Sequence, residues 1–240
     1  MIDFYFWPTP NGWKISIMLE ECGLEYNLIK INIAHGDQFK PEFIAISPNN
    51  RIPAIVDHDA PNGPVSVFES GAILLYLGEK TGRFMPEDLN ERYDAIQWVF
   101  WQMANLGPMA GQFAYFRNYS ESKIEPAIDR FGNEYNRLIG VMDRHLADRD
   151  YLAGDYSIAD IASWPWVLSH DRLGQSLDEF PNVKRWLDSV GERPAVQKGF
   201  QLGLDWHKPD KPDEKTRERL FSQTADSVAE LIRDASGDAG

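Results

Sequence analysis

The first 80 residues alternate between short apolar runs and stretches in which apolar residues recur at helical spacing. An aromatic run at residues 3–7 predicts a buried strand, and the periodicity of residues 12–22 predicts the helix that follows it. Residues 26–33 predict a second strand, and residues 41–46 predict a short helix or a turn. A strand, a helix and another strand in this order predict a parallel pair joined by a right-handed crossover.

Residues 50–76 hold two chain reversals and a helix start. Two runs rich in β-branched residues, at 52–57 and 65–68, flank a Pro/Asn/Gly cluster, which predicts a β-hairpin. Ser70 follows the second run and precedes apolar residues at helical spacing, which predicts a helix with Ser70 at its N-cap. The predicted order of elements is therefore βαβαββα, an α/β domain over residues 1–80.

The pattern changes at residues 81–89, a stretch with glycine and proline that predicts an interdomain linker. Beyond it the periodicity is almost entirely helical, with apolar stripes at 91–106 and 124–146 that predict two long helices. A Gly-Pro pair at 107–108 should bend or interrupt the first of them. Residues 90–205 are therefore predicted to form an all-α helical-bundle domain.

Two further features concern the C-terminal third. Ser157 and Asp160 have capping-box spacing, which predicts the start of a buried helix. From residue 206 the composition shifts to charge and proline. We predict a C-terminal extension over residues 206–240, with an amphipathic surface helix at 220–232 and a frayed end from residue 234 onward.

Composition and charge narrow the class of protein. With 240 residues, 43% of them hydrophobic, the chain can bury a sizeable core. A net charge of −13 opposes binding to nucleic acid or to an acidic membrane surface. No apolar run approaches the roughly 18 residues of a membrane span, and no charged leader opens the chain, so we expect a cytoplasmic protein.

Cys22 is the only cysteine, which excludes an internal disulfide and a Cys-x-x-Cys redox pair. A redox reaction would need a thiol supplied by a ligand, or Cys22 alone. The five histidines have no spacing that places two ligands on one helix face, so no metal site is predicted.

The predicted helix start at Ser70 has the chemistry of a binding site. A helix N-terminus presents unpaired N–H groups and a positive dipole end to an anion, and Glu69 adds a negative charge beside it. The two suit a ligand with both a carboxylate and an ammonium group, such as an amino-acid head group. Pro53 has no N–H, so Ile52 before it can turn its own backbone groups toward an extended ligand. An ordinary hairpin with a capped helix explains these residues equally well.

The motifs in this half resemble a known family. Residues 51–54 (Arg-Ile-Pro-Ala) and 68–73 (Phe-Glu-Ser-Gly-Ala-Ile) resemble the glutathione-binding half of cytosolic glutathione transferases. Residues 5–14 and the Pro-Asn-Asn at 48–50 resemble most closely the bacterial Nu-class enzymes and the related yeast nitrogen regulator. The similarity covers roughly residues 1–201. It implies a thioredoxin-like N-terminal domain, an all-α C-terminal domain, a glutathione site between them and a homodimer.

Within this resemblance, Thr9 and Asn11 lie where a thioredoxin-like fold carries its redox cysteines. A helix N-terminus, a hydroxyl and an amide together favour a bound thiolate, so Thr9 and Asn11 are the predicted catalytic residues and also contact glutathione. A turn with a helix cap at Asn11 is the alternative. Tyr5 is a poorer candidate because it lies inside the first strand.

The resemblance implies further glutathione contacts from four residues of the hairpin and helix start, namely Ile52, Pro53, Glu69 and Ser70. Gln38 lies in the loop that holds the glycine end of glutathione in related proteins, and Arg51 could pair with the same carboxylate. Arg130 could reach the ligand from a neighbouring subunit. Solvent exposure without a ligand is the alternative for each of these three.

Three functional classes remain open at this point. The first is a glutathione-dependent disulfide reductase that uses the thiol of bound glutathione. The second is a transferase that conjugates glutathione to an electrophile, and the third is a glutathione-binding regulator with little catalysis. In each case the partners are glutathione or glutathione disulfide, and for the enzymes a small-molecule second substrate.

Overall fold

The computed structural model describes residues 1–206 and 212–236. A four-stranded sheet forms its N-terminal part, built from β1 (Ile2–Phe6), β2 (Tyr26–Lys30), β3 (Ala54–Asp57) and β4 (Val65–Phe68). The strand order is β2-β1-β3-β4, with β1 parallel to β2 and antiparallel to β3, and β3 antiparallel to β4. The predicted parallel pair, the hairpin and the thioredoxin-like fold class are confirmed.

Three helices accompany the sheet: α1 (Pro10–Cys22), α2 (Pro41–Ile44) and α3 (Ser70–Thr81). The second strand is shorter than the predicted 26–33. Ile31 still donates its N–H to Phe6 O at 3.0 Å, but the side chain of Asn32 then accepts from Ala34 N at 3.1 Å and turns the chain. This turn leads into a 3₁₀ turn at Asp37–Phe39.

The C-terminal part is helical, as predicted, with no helix or strand at residues 82–88 between it and α3. Its helices are α4 (Leu89–Trp101), α5 (Gly107–Ala114), α6 (Glu125–His145), α7 (Ile158–Val167), α8 (Pro181–Gly191) and α9 (Pro194–Gln201). The predicted capping box at the start of α7 is confirmed. Ser157 Oγ accepts from Ala159 N at 3.2 Å, and Asp160 Oδ2 accepts from Ser157 N at 3.0 Å.

The Gly-Pro pair at 107–108 interrupts the first long helix in an unexpected form. The α-helical pattern ends at Trp101, and a π-helical turn at Gln102–Leu106 joins α4 directly to α5. Pro108 has no N–H and its ring would clash with the carbonyl four residues earlier in an ordinary α-helix. The wider π turn removes that clash while the chain stays helical.

Helix α1 links the two parts of the molecule. It packs against α3 and also against α7 and α9, so one apolar core runs from the sheet into the helical bundle. Ser16 Oγ donates to Gly199 O at 2.7 Å, and a Cβ at position 199 would lie 2.7 Å from Ile17 Cα. This close backbone contact requires glycine and holds α1 firmly against α9.

The C-terminal extension contains two surface helices, α10 (Glu214–Phe221) and α11 (Ala225–Ser236). Residues 225–232 of the predicted surface helix lie in α11, whereas residues 220–221 lie in α10, so the helix does not run unbroken from residue 220 as predicted. Thr224 Oγ1 accepts from Ser227 N at 3.2 Å, and Thr224 N donates to Ser227 Oγ at 2.8 Å, which caps a new helix start. Of the predicted frayed end, residues 234–236 are helical and residues 237–240 lie outside the described residues.

Candidate functional site

The start of α1 is fixed by Thr9 and by the end of β1. Thr9 N donates to Trp7 O at 2.8 Å, and Thr9 Oγ1 accepts from Gly12 N at 3.3 Å, so Thr9 and not Asn11 is the N-cap. A Cβ at Gly12 would lie only 2.3 Å from Trp7 O. Glycine therefore lets the first turn of α1 sit directly at the strand end, where its N–H groups favour an anion.

The side chain of Asn11 is oriented by a tryptophan from the helical part. Trp166 of α7 donates its indole Nε1–H to Asn11 Oδ1 at 3.0 Å. An indole N–H only donates, so the atom that faces it must be the amide oxygen. Within residues 1–206 and 212–236, neither N–H group of the Asn11 amide has a hydrogen-bond partner, so both can donate to a ligand at the start of α1. The two residues are 155 positions apart, and no local pattern predicted this contact.

The start of α3 differs from the prediction at Ser70. Glu69 is the N-cap, with φ of 69°, and Ser70 is the first helical residue. Ser70 Oγ does not cap its own helix and accepts a hydrogen bond from Lys14 Nζ at 3.2 Å. No described side chain caps α3, so its first N–H groups remain available to a ligand. Asn49 Nδ2 donates to Glu69 Oε1 at 3.4 Å and steadies that carboxylate.

A cavity of about 260 Å³ brings these two helix starts together. Six predicted site residues line it: Asn11, Arg51, Ile52, Pro53, Glu69 and Ser70. The Ile52–Pro53 peptide bond is cis. The cavity thus combines amide donors, a helix N-terminus, a carboxylate and a guanidinium around one opening.

Three cavity residues were missed by the sequence analysis: Ser47, Asn49 and Phe68. Ser47 Oγ donates to Arg51 O at 2.8 Å and closes the turn that leads into the cis peptide. Phe68 is the last residue of β4 and is 37% exposed. A large exposed aromatic directly before the Glu-Ser pair was the available signal for Phe68, whereas nothing local marked Ser47.

Three predicted site residues do not line the cavity. Thr9 contributes through the first turn of α1, as described above. Gln38 is buried in the 3₁₀ turn, where its Nε2 donates to Ile33 O at 3.1 Å, so it is not the solvated loop residue considered as an alternative. Arg130 is exposed on α6 and is not among the cavity residues.

Lys14 is a buried lysine directly behind the cavity, and the sequence analysis did not identify it. Its Nζ donates to Ser70 Oγ at 3.2 Å, to Gln102 Oε1 at 2.5 Å and to the Met103 sulfur at 3.3 Å. The side chain is fully buried. Burial lowers the pKa of Lys14 to about 7, although the nearby Glu69 carboxylate raises it in part. This ammonium therefore titrates close to neutral pH.

Cys22 lies at the opposite end of α1 from Thr9 and Asn11. Its Sγ is 3.6 Å from Thr81 Oγ1, and burial raises the pKa of the thiol. A partly buried thiol with a raised pKa is a poor nucleophile. Its position and chemistry agree with a packing role.

Helix α10 extends from the helical part to the sheet domain. Phe221 packs on Tyr115 and Tyr119, with ring centroids 5.1 Å and 5.4 Å away. Arg219 Nη1 donates to Ala34 O at 2.9 Å. Tyr115 and Tyr119 begin and end a π-helical turn that follows α5. The C-terminal extension thereby connects this turn to a loop of the N-terminal domain.

A larger groove of about 480 Å³ borders α8 and is lined mainly by polar residues, among them His170, Asp178 and Lys184. None of the predicted site residues lines it, so size alone does not mark the site. Among the described residues, no group of three His, Cys, Asp or Glu side chains could hold a metal ion. Nor does any helix in the described ranges have the length and apolarity needed to cross a membrane.

The fold and the site together define a glutathione S-transferase, and the chain belongs to that family. Residues 1–79 match the model of the glutathione S-transferase N-terminal domain, and residues 106–194 match that of the C-terminal domain. The resemblance drawn from residues 51–54 and 68–73 is confirmed.

Three members of the family show how similar the chain is to individual relatives. The chain is 51% identical over 209 residues to the disulfide-bond oxidoreductase YfcG of Escherichia coli, covering 85% of this chain and 97% of the relative. It is 34% identical over 233 residues to protein URE2 of Eremothecium gossypii, covering 80% of this chain and 65% of URE2. A glutathione transferase from Pseudomonas putida, whose crystal structure carries one glutathione disulfide per subunit, superimposes with a TM-score of 0.80 at 46% identity, covering 84% of this chain and 91% of that one.

Proposed function

We propose that the protein is a glutathione-dependent disulfide-bond oxidoreductase that works through the thiol of bound glutathione. The observation that carries the proposal is the Asn11 amide, which lines the cavity, accepts at its oxygen from Trp166 and has no partner for its N–H groups in the part of the chain that the structure describes. A free thiol with a pKa of about 8.5 is mostly protonated at neutral pH. Donors from Asn11, the Thr9 hydroxyl and the first turn of α1 would lower that pKa.

The rest of the cavity suits the other groups of glutathione. The uncapped start of α3 and the Ser70 hydroxyl provide donors for the γ-glutamyl carboxylate, and Glu69 provides a partner for the ammonium group. The cis peptide at Ile52–Pro53 lines the cavity where the tripeptide backbone would lie. Arg51, which lines the cavity, and the buried Gln38 are proposed for the glycine carboxylate.

The proposed reaction consumes two molecules of glutathione. The thiolate of the first attacks one sulfur of a disulfide substrate, forms a mixed disulfide and releases the other half as a thiolate, which takes up a proton. A second glutathione thiolate attacks the glutathione sulfur of the mixed disulfide. The products are glutathione disulfide and the second substrate thiol, so the substrate gains the two electrons that the two glutathione molecules lose. No protein cysteine takes part.

The disulfide-bearing Pseudomonas putida relative and the named activity of the Escherichia coli relative support this reaction. A second candidate is conjugation of glutathione to an electrophile. The observation that favours it is the aromatic cluster of Tyr115, Tyr119 and Phe221, an apolar surface of the kind that an aryl substrate needs.

We also propose that the protein is a cytoplasmic homodimer. Helix α4 carries an apolar stripe that is solvent-exposed in the single chain, with Leu89 67%, Tyr93 62% and Phe100 62% exposed. Phe68, on β4 at the edge of the sheet, is 37% exposed. Large apolar patches of this kind mark protein interfaces. In such a dimer, Arg130 is proposed to reach the ligand of the partner subunit.

The test is turnover of bis(2-hydroxyethyl) disulfide by the purified protein with glutathione, followed by oxidation of NADPH through added glutathione reductase. We expect turnover well above the uncatalysed rate. Asn11→Ala should lower kcat/KM by about 10- to 100-fold, the effect of losing a hydrogen bond to a charged group. Asn136→Ala, at an exposed asparagine on α6, is the matched control and should leave the rate unchanged.

Turnover of 1-chloro-2,4-dinitrobenzene without turnover of the disulfide would favour the conjugation reaction. Binding of glutathione with neither activity would leave a binding protein, and would contradict the proposal.

A further inference from the structure

Lys14 is buried although it pairs with no carboxylate among the described residues. Its ammonium group is fully buried, and its three nearest polar atoms are Ser70 Oγ, Gln102 Oε1 and the Met103 sulfur. Buried ammonium groups are normally paired with an anion because an isolated charge is poorly solvated by protein. None of these three atoms carries a charge. Among the described residues, no carboxylate therefore contacts the Lys14 ammonium group, which lies next to the cavity.

The bond from Lys14 fixes the role of the Ser70 hydroxyl. A lysine ammonium only donates, so Ser70 Oγ must accept from it. The proton of the hydroxyl can then be donated elsewhere, and among the described residues its acceptor is the Met103 sulfur at 3.5 Å. A thioether is a weak acceptor. Ser70 also lines the cavity, so an anion there would offer the hydroxyl a far better partner.

The neighbouring charges leave the Lys14 ammonium available to such an anion. Glu69 is the charged group that acts on it, and Glu69 is exposed at the rim of the cavity. The π-helical turn that faces Lys14 contributes only the uncharged Gln102 and Met103. The other charged side chains on α1, α3, α7 and α9 are engaged with partners of their own: Glu20 with Lys198, Glu21 with Arg193, Glu79 with Arg92, Lys80 with Asp57 and Asp160 with Trp186.

We propose that Lys14 is a positioning residue of the carboxylate subsite at the start of α3, where its ammonium group turns the Ser70 hydroxyl into a donor toward the ligand and supplies positive charge beneath it. This inference rests on the proposed function, because it takes the γ-glutamyl carboxylate of glutathione as the anion. It assigns part of the binding of that carboxylate to a residue that the ligand never touches.

If Lys14 has this role, binding of the carboxylate changes the protonation of Lys14. A lysine that only packs in the core would show no such change. Burial lowers the pKa of Lys14 to about 7, so this lysine can gain or lose a proton near neutral pH. A carboxylate bound through Ser70 favours the charged form and raises that pKa. Binding at pH 7 therefore takes up a proton from the buffer. For the same reason the affinity should fall as the pH rises above 7.

The experiment is titration calorimetry of S-methylglutathione into the full-length protein at pH 7 in buffers with different ionisation enthalpies. This ligand has no thiol, so thiol ionisation does not enter the proton balance. We expect uptake of a fraction of a proton, and an affinity that declines between pH 7 and pH 8.5. Lys14→Met should abolish the uptake and the pH dependence, and should weaken binding by about 10- to 100-fold.

Two further variants complete the design. Lys198→Met removes a positive charge from α9, where it pairs with Glu20 and lies away from the cavity, and should behave like the unsubstituted protein. Lys14→Met combined with Gln102→Leu removes the buried charge together with its amide partner. Apolar side chains then occupy the space behind Ser70 that Lys14 and Gln102 fill in the unsubstituted protein. Replacement of buried charges by apolar groups of similar volume is tolerated. If Lys14→Met alone does not fold, proton uptake and affinity are therefore measured on the double variant.

The outcomes separate the two proposals. Binding by the unsubstituted protein without proton uptake, together with unchanged affinity in the Lys14 variants, would overturn the role of Lys14 and leave the proposed function intact. Absence of any binding by the unsubstituted protein would overturn both. Loss of affinity in the variants without proton uptake by the unsubstituted protein would reduce Lys14 to a packing residue and overturn the proposal.

Discussion

Trp166 and Asn11 join the helical bundle to the start of α1 through one hydrogen bond of 3.0 Å from the indole Nε1 to the amide oxygen. Because this bond occupies the amide oxygen, the NH₂ group is the end of the amide that can bind a ligand. Trp166, in the helical part of the chain, therefore sets the orientation of Asn11, which belongs to the N-terminal domain.

The first prediction tests this relationship. Trp166→Phe keeps an aromatic ring but removes the donor, so the Asn11 amide loses its orientation. We expect kcat/KM for disulfide reduction to fall by about 5- to 20-fold, equivalent to about 1–2 kcal/mol. If the effect operates through Asn11, the same substitution in an Asn11→Ala background should have almost no further effect. Equal losses in the two backgrounds would show that Trp166 acts by some other route.

The second prediction concerns the start of α3. Glu69→Ala and Ser70→Ala should each weaken the binding of glutathione by about 1–3 kcal/mol, because each removes a partner of a charged group. Calorimetry measures the change. Glu79→Ala, at an exposed position later in α3, serves as the control for loss of a carboxylate. Unchanged affinity in both variants would remove the ligand from this cavity.

The third prediction is that Cys22 is dispensable. Burial raises the pKa of its thiol, and its contact is with Thr81 at the far end of α1. Cys22→Ser should keep most of the disulfide reductase activity, and modification of Cys22 by a thiol reagent in the native protein should be slow compared with the unfolded chain. A folded Cys22→Ser protein that binds glutathione but has no activity would mean that a protein thiol takes part.

The fourth prediction concerns stability. Asp160 is fully buried and accepts from Leu152 N at 3.0 Å, from Ser157 N at 3.0 Å and from Trp186 Nε1 at 2.8 Å. Asp160→Ala leaves three buried donors without an acceptor, so the free energy of unfolding should fall by about 3 kcal/mol or more in urea denaturation.

Asp155→Ala, at an exposed position before the same helix, is the control for Asp160 and should change the free energy of unfolding by less than about 0.5 kcal/mol. A similar small change in Asp160→Ala would mean that water satisfies the three donors.

The fifth prediction concerns the apolar stripe on α4. Light scattering should give a mass twice that of the 27.4 kDa chain. Tyr93→Glu combined with Phe100→Glu places two charges in the stripe and should produce monomers without unfolding the chain, because both side chains are 62% exposed. A monomeric unsubstituted protein at micromolar concentration contradicts the dimer.

The sequence predicted those parts of the structure that are determined by residues close together in the chain. The hairpin follows from two β-branched runs around a Pro/Asn/Gly turn, and the start of α7 follows from Ser157 and Asp160 three residues apart. Six residues of the cavity could likewise be predicted because they belong to short motifs. The N-cap of α3 was misplaced by one residue, since a serine ahead of an apolar run normally caps its own helix, whereas Ser70 is bonded to Lys14.

Contacts between distant parts of the chain could not be predicted. Lys14 reads as one polar position in an amphipathic helix, and only the tertiary structure shows that Gln102, 88 positions away, faces it in the core. The same holds for Trp166 and Asn11. The break between α10 and α11 could not be predicted for a different reason. The capping pair of Thr224 and Ser227 lies inside an apolar periodicity that continues across the break.

The single, partly buried cysteine has a thermodynamic consequence for the proposed reaction. A thioredoxin-like protein with two redox cysteines has a reduction potential of its own, and that potential sets which way electrons flow through it. This chain cannot form an intrachain disulfide, so it stores no electrons and has no oxidised form to be recycled by a separate reductase. The direction of the reaction then depends only on the substrate disulfide and on the ratio of the square of the glutathione concentration to that of glutathione disulfide.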